Sequence, residues 1–363
     1  MRIGIVGLPQ SGKTTVFTAL VGGSVLSQTA SAATHLGTAK VPDPRLGALA
    51  AIFHPRRVVA AEVQYVDVAP PQRGTDKGQW LSGPLLAELS RMDAFIHVVR
   101  YFSDERVPHV QGSIDPDRDI ATMDLELAFS DLTIIEHRLQ RLETSLKAAR
   151  SHEREPLLAE QRLILRIKDS LEKEMPLWQQ TLTPGEARTI ENFQFLTARP
   201  LLAVLNIGEN DITRAEALET ELRARHPRPN FQTVAICGKL EMELAQLNAV
   251  EAGEFRVALG LTEAARDRVI RLSYELLGLI TFFTHASDEL KAWPVPRGTT
   301  AVKAAGKIHS DMERGFIRAE AIGHDDLVKC GGLAEARKRG LLRLEGKSYV
   351  VQDGDVITFM FNV

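Results

Sequence analysis

Ile3-Gly4-Ile5-Val6-Gly7-Leu8-Pro9-Gln10-Ser11-Gly12-Lys13-Thr14-Thr15-Val16-Phe17 decides how the chain reads. The short apolar run Ile3 to Val6, bounded by glycine, predicts a buried parallel strand. Thr14 to Leu20, with Val16, Phe17 and Leu20 on one side, predicts a helix. Between them Gly7 to Thr14 fits G-x-x-x-x-G-K-[ST]. In that pattern glycines let the backbone wrap an anion, while consecutive N–H groups and a helix N-terminus supply positive potential. Pro9, Gln10, Ser11, Gly12, Lys13, Thr14 and Thr15 are the expected phosphate-contacting residues. Lys13 should reach the β- and γ-phosphates as the catalytic cation, and the Thr14 hydroxyl should ligate Mg²⁺.

Further apolar runs at Val63 to Val68, Ala94 to Val99, Leu201 to Leu205 and Thr233 to Cys237 read as parallel strands separated by helical stretches. That is an α/β, doubly wound layer. Such a loop needs a second magnesium support at the end of a neighbouring strand, and Asp67 occupies that place. Many GTPases continue D-x-x-G, but here Val68 and Ala69 lead to Pro70, which has no N–H for a γ-phosphate. Pro71 stands where some GTPases carry a water-orienting Gln, and Gln72 lies one position late. Asn206-Ile207-Gly208-Glu209 stands where guanine readers write N-K-x-D. Ile207 replaces the Lys, and Glu209 is one methylene longer than the Asp that grips guanine, which opens the base site to adenine. Cys237 and Gly238 would add backbone contacts to the base.

Between Asp119 and Gln180 the period changes. Leu125, Ala128, Leu132, Ile135, Leu139, Leu142 and Leu146 recur at steps of three and four, predicting a long amphipathic helix. Ser151 to Pro156 reads as a polar break, and Leu157, Ile164, Ile167 and Leu171 as a second, antiparallel helix. From about Thr281 a small α+β region follows. It has strands at Leu290 to Val295 and Val356 to Phe361, a short helix at Ala301 to His309, and Trp293 and Phe316 in its core. Arg337, Lys338, Arg339 and Arg343 form a local basic cluster, read as a solvated helix end or a phosphate contact. Forty-four Lys plus Arg against 47 Asp plus Glu in 363 residues leave a charge of −3. Global charge therefore points to neither nucleic acid nor membrane. Two cysteines, Cys237 and Cys330, make neither a disulfide framework nor a zinc site. No run of about 18 apolar residues suits a bilayer. The opening residues do not read as a signal peptide, so a cytoplasmic protein is expected.

These residues together resemble the YchF family, the Obg-like ATPases. The resemblance is carried by Gly4 to Pro9, Val41-Pro42-Asp43-Pro44-Arg45-Leu46, Met92-Asp93-Ala94 with His97-Val98-Val99-Arg100, and Asn206 to Glu209. At the C-terminal end Ala304 to Asp311, Arg314 to Glu320 and Gly354 to Val363 carry it too. It implies a discontinuous P-loop G domain over 1–118 and 197–280 and a coiled-coil hairpin inserted over 119–196. A β-grasp (ubiquitin-like) TGS domain over 281–363 completes it. It also implies ATP, with GTP possible, Mg²⁺, and association with the ribosome or ribosomal RNA, without membrane binding or DNA specificity. A switch-region histidine is proposed to replace the missing Gln in this family, and His109 matches it. Ser31 matches the first-switch metal ligand, with Thr29 and Thr34 nearby. Pro70 and Ser31 depart from the family pattern, as in a divergent paralogue. Three readings stay open: a slow Mg²⁺-dependent ATPase, a nucleotide-binding adaptor with little or no turnover, and a GTPase.

Overall fold

The computed structural model describes residues 1–22, 25–28, 34–68, 83–229, 231–261, 263–286 and 288–362. The readings placed on Thr29, Ser31, Pro70, Pro71 and Gln72 lie outside these residues. From the N-terminus come β1 (Arg2–Val6), α1 (Lys13–Val21), β2 (Val25–Gln28), β3 (Thr34–Lys40), α2 (Arg45–Phe53), β4 (Arg57–Val59), β5 (Glu62–Val68), α3 (Gly83–Leu89) and β6 (Ala94–Tyr101). A helical hairpin follows, α4 (Pro116–Ala148) and α5 (Ser151–Glu172), then α6 (Pro184–Ile190), β7 (Leu201–Ile207), α7 (Ala215–Arg225) and β8 (Phe231–Ile236). Next are α8 (Gly238–Leu244), α9 (Ala249–Ala258), α10 (Ala265–Leu276), β9 (Leu279–Ala286) and β10 (Glu289–Pro296). The chain ends with α11 (Ala301–Ile308), α12 (Ser310–Arg314), β11 (Phe316–Gly323), α13 (His324–Cys330), α14 (Leu333–Lys338), β12 (Arg343–Glu345) and β13 (Asp355–Phe361). It divides into two compact units, Met1–Gly37 with Gln64–Val269, and Thr38–Val63 with Ile270–Val363.

The sheet of the first unit runs β2-β3-β5-β1-β6-β7-β8. β1 pairs parallel with β5 on one side and β6 on the other, and β7 and β8 continue the parallel set. All seven residues of β7 are buried, as expected of a strand covered on both faces. Because the chain leaves β1 first for β5 and later for β6, the C-terminal end of β1 is a topological switch point. Open α/β sheets bind ligands there.

In the hairpin, Ala128, Ile135 and Leu142 of α4 pack against Ile164, Ile167 and Leu171 of α5. Each such burial is worth about 1.5–3 kcal/mol for the larger side chains. Leu125 does not join them: it is 38% exposed. Met123 and Leu127, on the neighbouring face, pack on the sheet core instead. The break between the helices is also shorter than the polar run suggested. α5 begins at Ser151 and carries Pro156 inside it. Residues 151–156 are exposed, so the carbonyl left without the proline's missing N–H is open to water. Glu153 caps the start by accepting the Arg150 N–H at 3.0 Å. Midway along α4, the fully buried Asp131 accepts from the Leu196 and Thr197 N–H groups at 2.7 and 2.9 Å and from the Thr197 hydroxyl at 2.7 Å.

The second unit has a mixed sheet in the order β12-β11-β13-β9-β10-β4. Its core gathers Ile280, Phe282, Ala304, Ala305, Phe316 and Phe359, with Trp293 partly buried and stacked on Phe282. The expected boundary at 281 omits a piece of this unit. Thr38–Val63 belongs to it, with β4 pairing parallel to β10. Arg45 holds that piece in place. It ion-pairs with Asp43 and Asp353 at 2.8 and 2.9 Å and lies over the Phe283 ring at 5.2 Å. The 337–343 cluster is not a free basic patch. Arg337 pairs with Glu320 at 3.0 Å, Arg339 with Glu335 at 2.9 Å and Arg343 with Asp355 at 3.2 Å. Lys338 and Arg339 share Glu335, with Lys338 at 4.0 Å.

Candidate nucleotide site

At the switch point, residues 7–14 turn from β1 into α1. The turn needs left-handed backbone at Gln10 (φ 64°) and Gly12 (φ 89°), and Ser11 N–H closes it on the Leu8 carbonyl at 3.2 Å. Only glycine fits at position 12, because a Cβ there would run into Asn206 Nδ2. Pro9 and Thr15 are partly buried and Gln10 is exposed, while Ser11 is buried with an unpartnered hydroxyl.

Lys13, only 7% exposed, donates to the Gly7 and Leu8 carbonyls at 2.8 and 3.1 Å. Burial pulls its pKa down to about 8, with Asp67 pulling the other way. The exposed Thr14 hydroxyl donates to Asp67 Oδ2 at 2.9 Å. Asp67 sits opposite Ile5 in the ladder and is 2% exposed, with Oδ1 unpartnered. Burial raises its pKa, while the Thr14 bond and Lys13 oppose the rise. Two hard oxygen donors, one of them a buried carboxylate oxygen without a partner, fit Mg²⁺. This ion commonly takes one or two protein groups and completes its shell with phosphates and water. Among the described residues no cluster of three His, Cys, Asp or Glu could hold a metal by itself.

The structure brings Asn206, Gly238 and the loop together. Asn206, 4% exposed, donates from Nδ2 to the Ser11 carbonyl at 3.0 Å and accepts the Gly238 N–H on Oδ1 at 3.1 Å. It ties the phosphate loop to the β8–α8 turn. Glu209 opens the short 3₁₀ turn after β7 and is exposed, paired with Lys239 at 3.2 Å. Ile207 does not extend towards the loop as a lysine would. Its side chain is 3% exposed inside the sheet core. Cys237 is also buried there, its thiol pKa raised by burial.

His109 has both ring nitrogens engaged by its own neighbours. Its Nδ1 accepts the Gln111 N–H at 3.1 Å, so Nε2 carries the proton and donates to Asp119 Oδ2 at 2.8 Å. Arg118 holds the other oxygen of Asp119.

Two contributors were given no role by the motifs. Arg100 is 3% exposed at the end of β6. It donates to the carbonyls of Phe102 (3.1 Å), Val107 (2.6 Å) and, at the long limit, Gln10 (3.5 Å). The Phe102 ring lies under its guanidinium at 4.4 Å and stands beside Gly12. Arg100 closes the His97 to Arg100 stretch quoted for the family resemblance, to which no role was attached. Phe102 gave no signal.

Comparison with known proteins agrees with this architecture. A family model for the C-terminal part of YchF GTPases, described as "Protein of unknown function (DUF933)", matches residues 279–362. Proteins described as "Ribosome-binding ATPase YchF" are similar along the whole length. The Bacillus subtilis protein is 38% identical, over 100% of both chains. The Haemophilus ducreyi protein is 39% identical, over 100% of this chain and 99% of its own. The Escherichia coli O157:H7 protein is 36% identical with the same coverage. The solved Schizosaccharomyces pombe YchF GTPase superposes with a TM-score of 0.85 at 27% identity, over 99% of this chain and 97% of its own. With relatives of this similarity covering it from end to end, the chain belongs to the YchF family.

Proposed function

We propose that the protein is a slow, magnesium-dependent ATPase that associates with the ribosome. The observation that carries this reading is the convergence of Lys13, Thr14, Asp67 and Asn206 on one loop at the switch point of the sheet. Relatives named ribosome-binding ATPases support the reaction and the partner. In it, Lys13 exchanges the Gly7 and Leu8 carbonyls for phosphate oxygens. Gly12, Lys13 and the start of α1 present N–H groups to the anion. Thr14 and Asp67 would hold Mg²⁺, which when bound neutralises phosphate charge. Catalysis is then mainly positioning and electrostatic stabilisation. Exposed Glu209, in place of the shorter Asp, favours adenine over guanine, and the Phe102 ring stands beside Gly12. The C-terminal unit is read as the TGS-type module of the family.

A second reading, nucleotide binding without useful turnover, has one specific observation in its favour. Both nitrogens of His109 are occupied by Gln111 and Asp119, so the ring must give up a partner before it can orient a water. Calorimetric titration with Mg·ATP and Mg·GTP, followed by single-turnover phosphate release, decides among the readings. ATPase activity requires release that is abolished in Lys13→Ala and weakened in His109→Ala. Tight binding with no release selects the adaptor, and a tenfold preference for GTP refutes adenine specificity.

A further inference from the structure

Arg100 and Asn206 are register partners across the β6–β7 ladder, and both reach the phosphate loop. Asn206 takes the Ser11 carbonyl and Arg100 reaches the preceding one, that of Gln10, whose backbone is left-handed. The remaining N–H groups of Arg100 lead away from the loop to Phe102 and to Val107, two residues before His109. The Phe102 ring under the guanidinium also flanks Gly12. A guanidinium presents five donors in one rigid plane, so one buried side chain can hold three carbonyls and one ring face at once. A lysine ammonium cannot.

We propose that Arg100 is a positioning residue that couples the phosphate loop to the segment carrying His109. The proposal rests on the nucleotide-hydrolase reading and names the part that transmits loop occupancy to the reacting side. Seating a triphosphate requires Lys13 to leave the Gly7 and Leu8 carbonyls, which rearranges the loop under Gln10. Because Arg100 holds the Val107 carbonyl at 2.6 Å and reaches that of Gln10 at 3.5 Å, the rearrangement is passed to the backbone that holds His109 against Asp119. Nucleotide binding and the release of His109 thereby become one event.

The test compares wild type, Arg100→Ala and Arg100→Lys in three measurements. These are calorimetric affinity for a non-hydrolysable Mg·ATP analogue, single-turnover phosphate release, and amide hydrogen exchange over residues 102–112 with and without the analogue. In Arg100→Ala, affinity should change by less than about threefold while release slows by about tenfold or more. The exchange response of 102–112 to nucleotide should vanish. Millimolar guanidinium should restore part of the rate to Arg100→Ala, and Arg100→Lys should stay impaired. An unchanged rate, an affinity loss matching the rate loss, or an exchange response that persists in the variant each overturns the proposal. Should the alanine variant fail to fold, Arg100→Lys carries the same comparison. If wild type binds the analogue but releases no phosphate, the hydrolase reading falls while the exchange experiment still decides the role of Arg100. No binding at all removes both.

Discussion

Lys13 holds a charge in a place that opposes charge. Its ammonium is buried against two carbonyls, and its pKa is drawn down to about 8 from an ordinary value near 10.5. Phosphate oxygens favour the charged form, so binding should restore the pKa and take up a proton above pH 8. Affinity for Mg·ATP should hold steady from pH 6.5 to 7.5 and fall as pH rises from 8 to 10. Titrations at pH 9 in buffers of different ionisation heat should show uptake approaching one proton per nucleotide. The sign for folding is the reverse of a stabilising lysine. A depressed pKa disfavours the folded state below about pH 8, and the penalty fades as pH rises towards 10.5. Lys13→Met should therefore abolish nucleotide binding and remove the part of the rise in stability between pH 8 and 10.5 that Lys13 contributes, read from urea midpoints across that range. Asn206→Ala should destabilise by about 2–4 kcal/mol in urea titrations, since it strands the buried Ser11 carbonyl and Gly238 N–H together. The phosphate loop was legible because its chemistry is contiguous, from Gly7 to Thr14. The work of Asn206 was not, because its two partners lie 195 and 32 residues away. A motif of base recognition concealed a residue that braces the loop.

At the scale of the element, Asp131 shows what ties the middle of α4 to the backbone at Leu196 and Thr197. Burial pushes this carboxyl up to about 6, against the pull of its three hydrogen bonds. A raised carboxylate pKa contributes stability that is fully present below pH 4 and is lost as pH rises through 6. The difference in unfolding free energy between wild type and Asp131→Asn should therefore shrink by about 2–3 kcal/mol between pH 4 and pH 7. Urea midpoints at the two pH values measure it. The apolar stripe from Ala128 to Leu142 was readable because period alone determines which face is buried. Two details were not readable. Leu125 keeps the period but falls where the helix turns its neighbouring face to the sheet. Pro156 is a helix breaker on propensity, yet solvent access removes much of its penalty.

Across the whole molecule, the piece Thr38–Val63 decides how the chain can be cut. The sequence placed the last unit at 281–363 because its strands and turns are local. Nothing local reveals that Arg45 pairs with a residue 308 positions later. Arg45→Ala should lower the stability of the C-terminal unit by about 1–3 kcal/mol, read as an earlier transition in hydrogen exchange of β9, β10 and β13. A chain ending at residue 280 should be poorly soluble, because α2 and β4 lose the strands they pack on. Limited proteolysis of that fragment should nick first within 38–63. Co-sedimentation with ribosomes should be insensitive to charge reversal at Arg337 and Arg339, whose guanidinium groups are already engaged.

The same interleaving sets a timetable during synthesis. At about 5–20 residues per second, the 308 residues separating Arg45 from Asp353 take roughly 15–60 s to be made. For that interval the VPDPR segment waits on the nascent polypeptide without its mate, so this pairing forms only after Asp353 has been made.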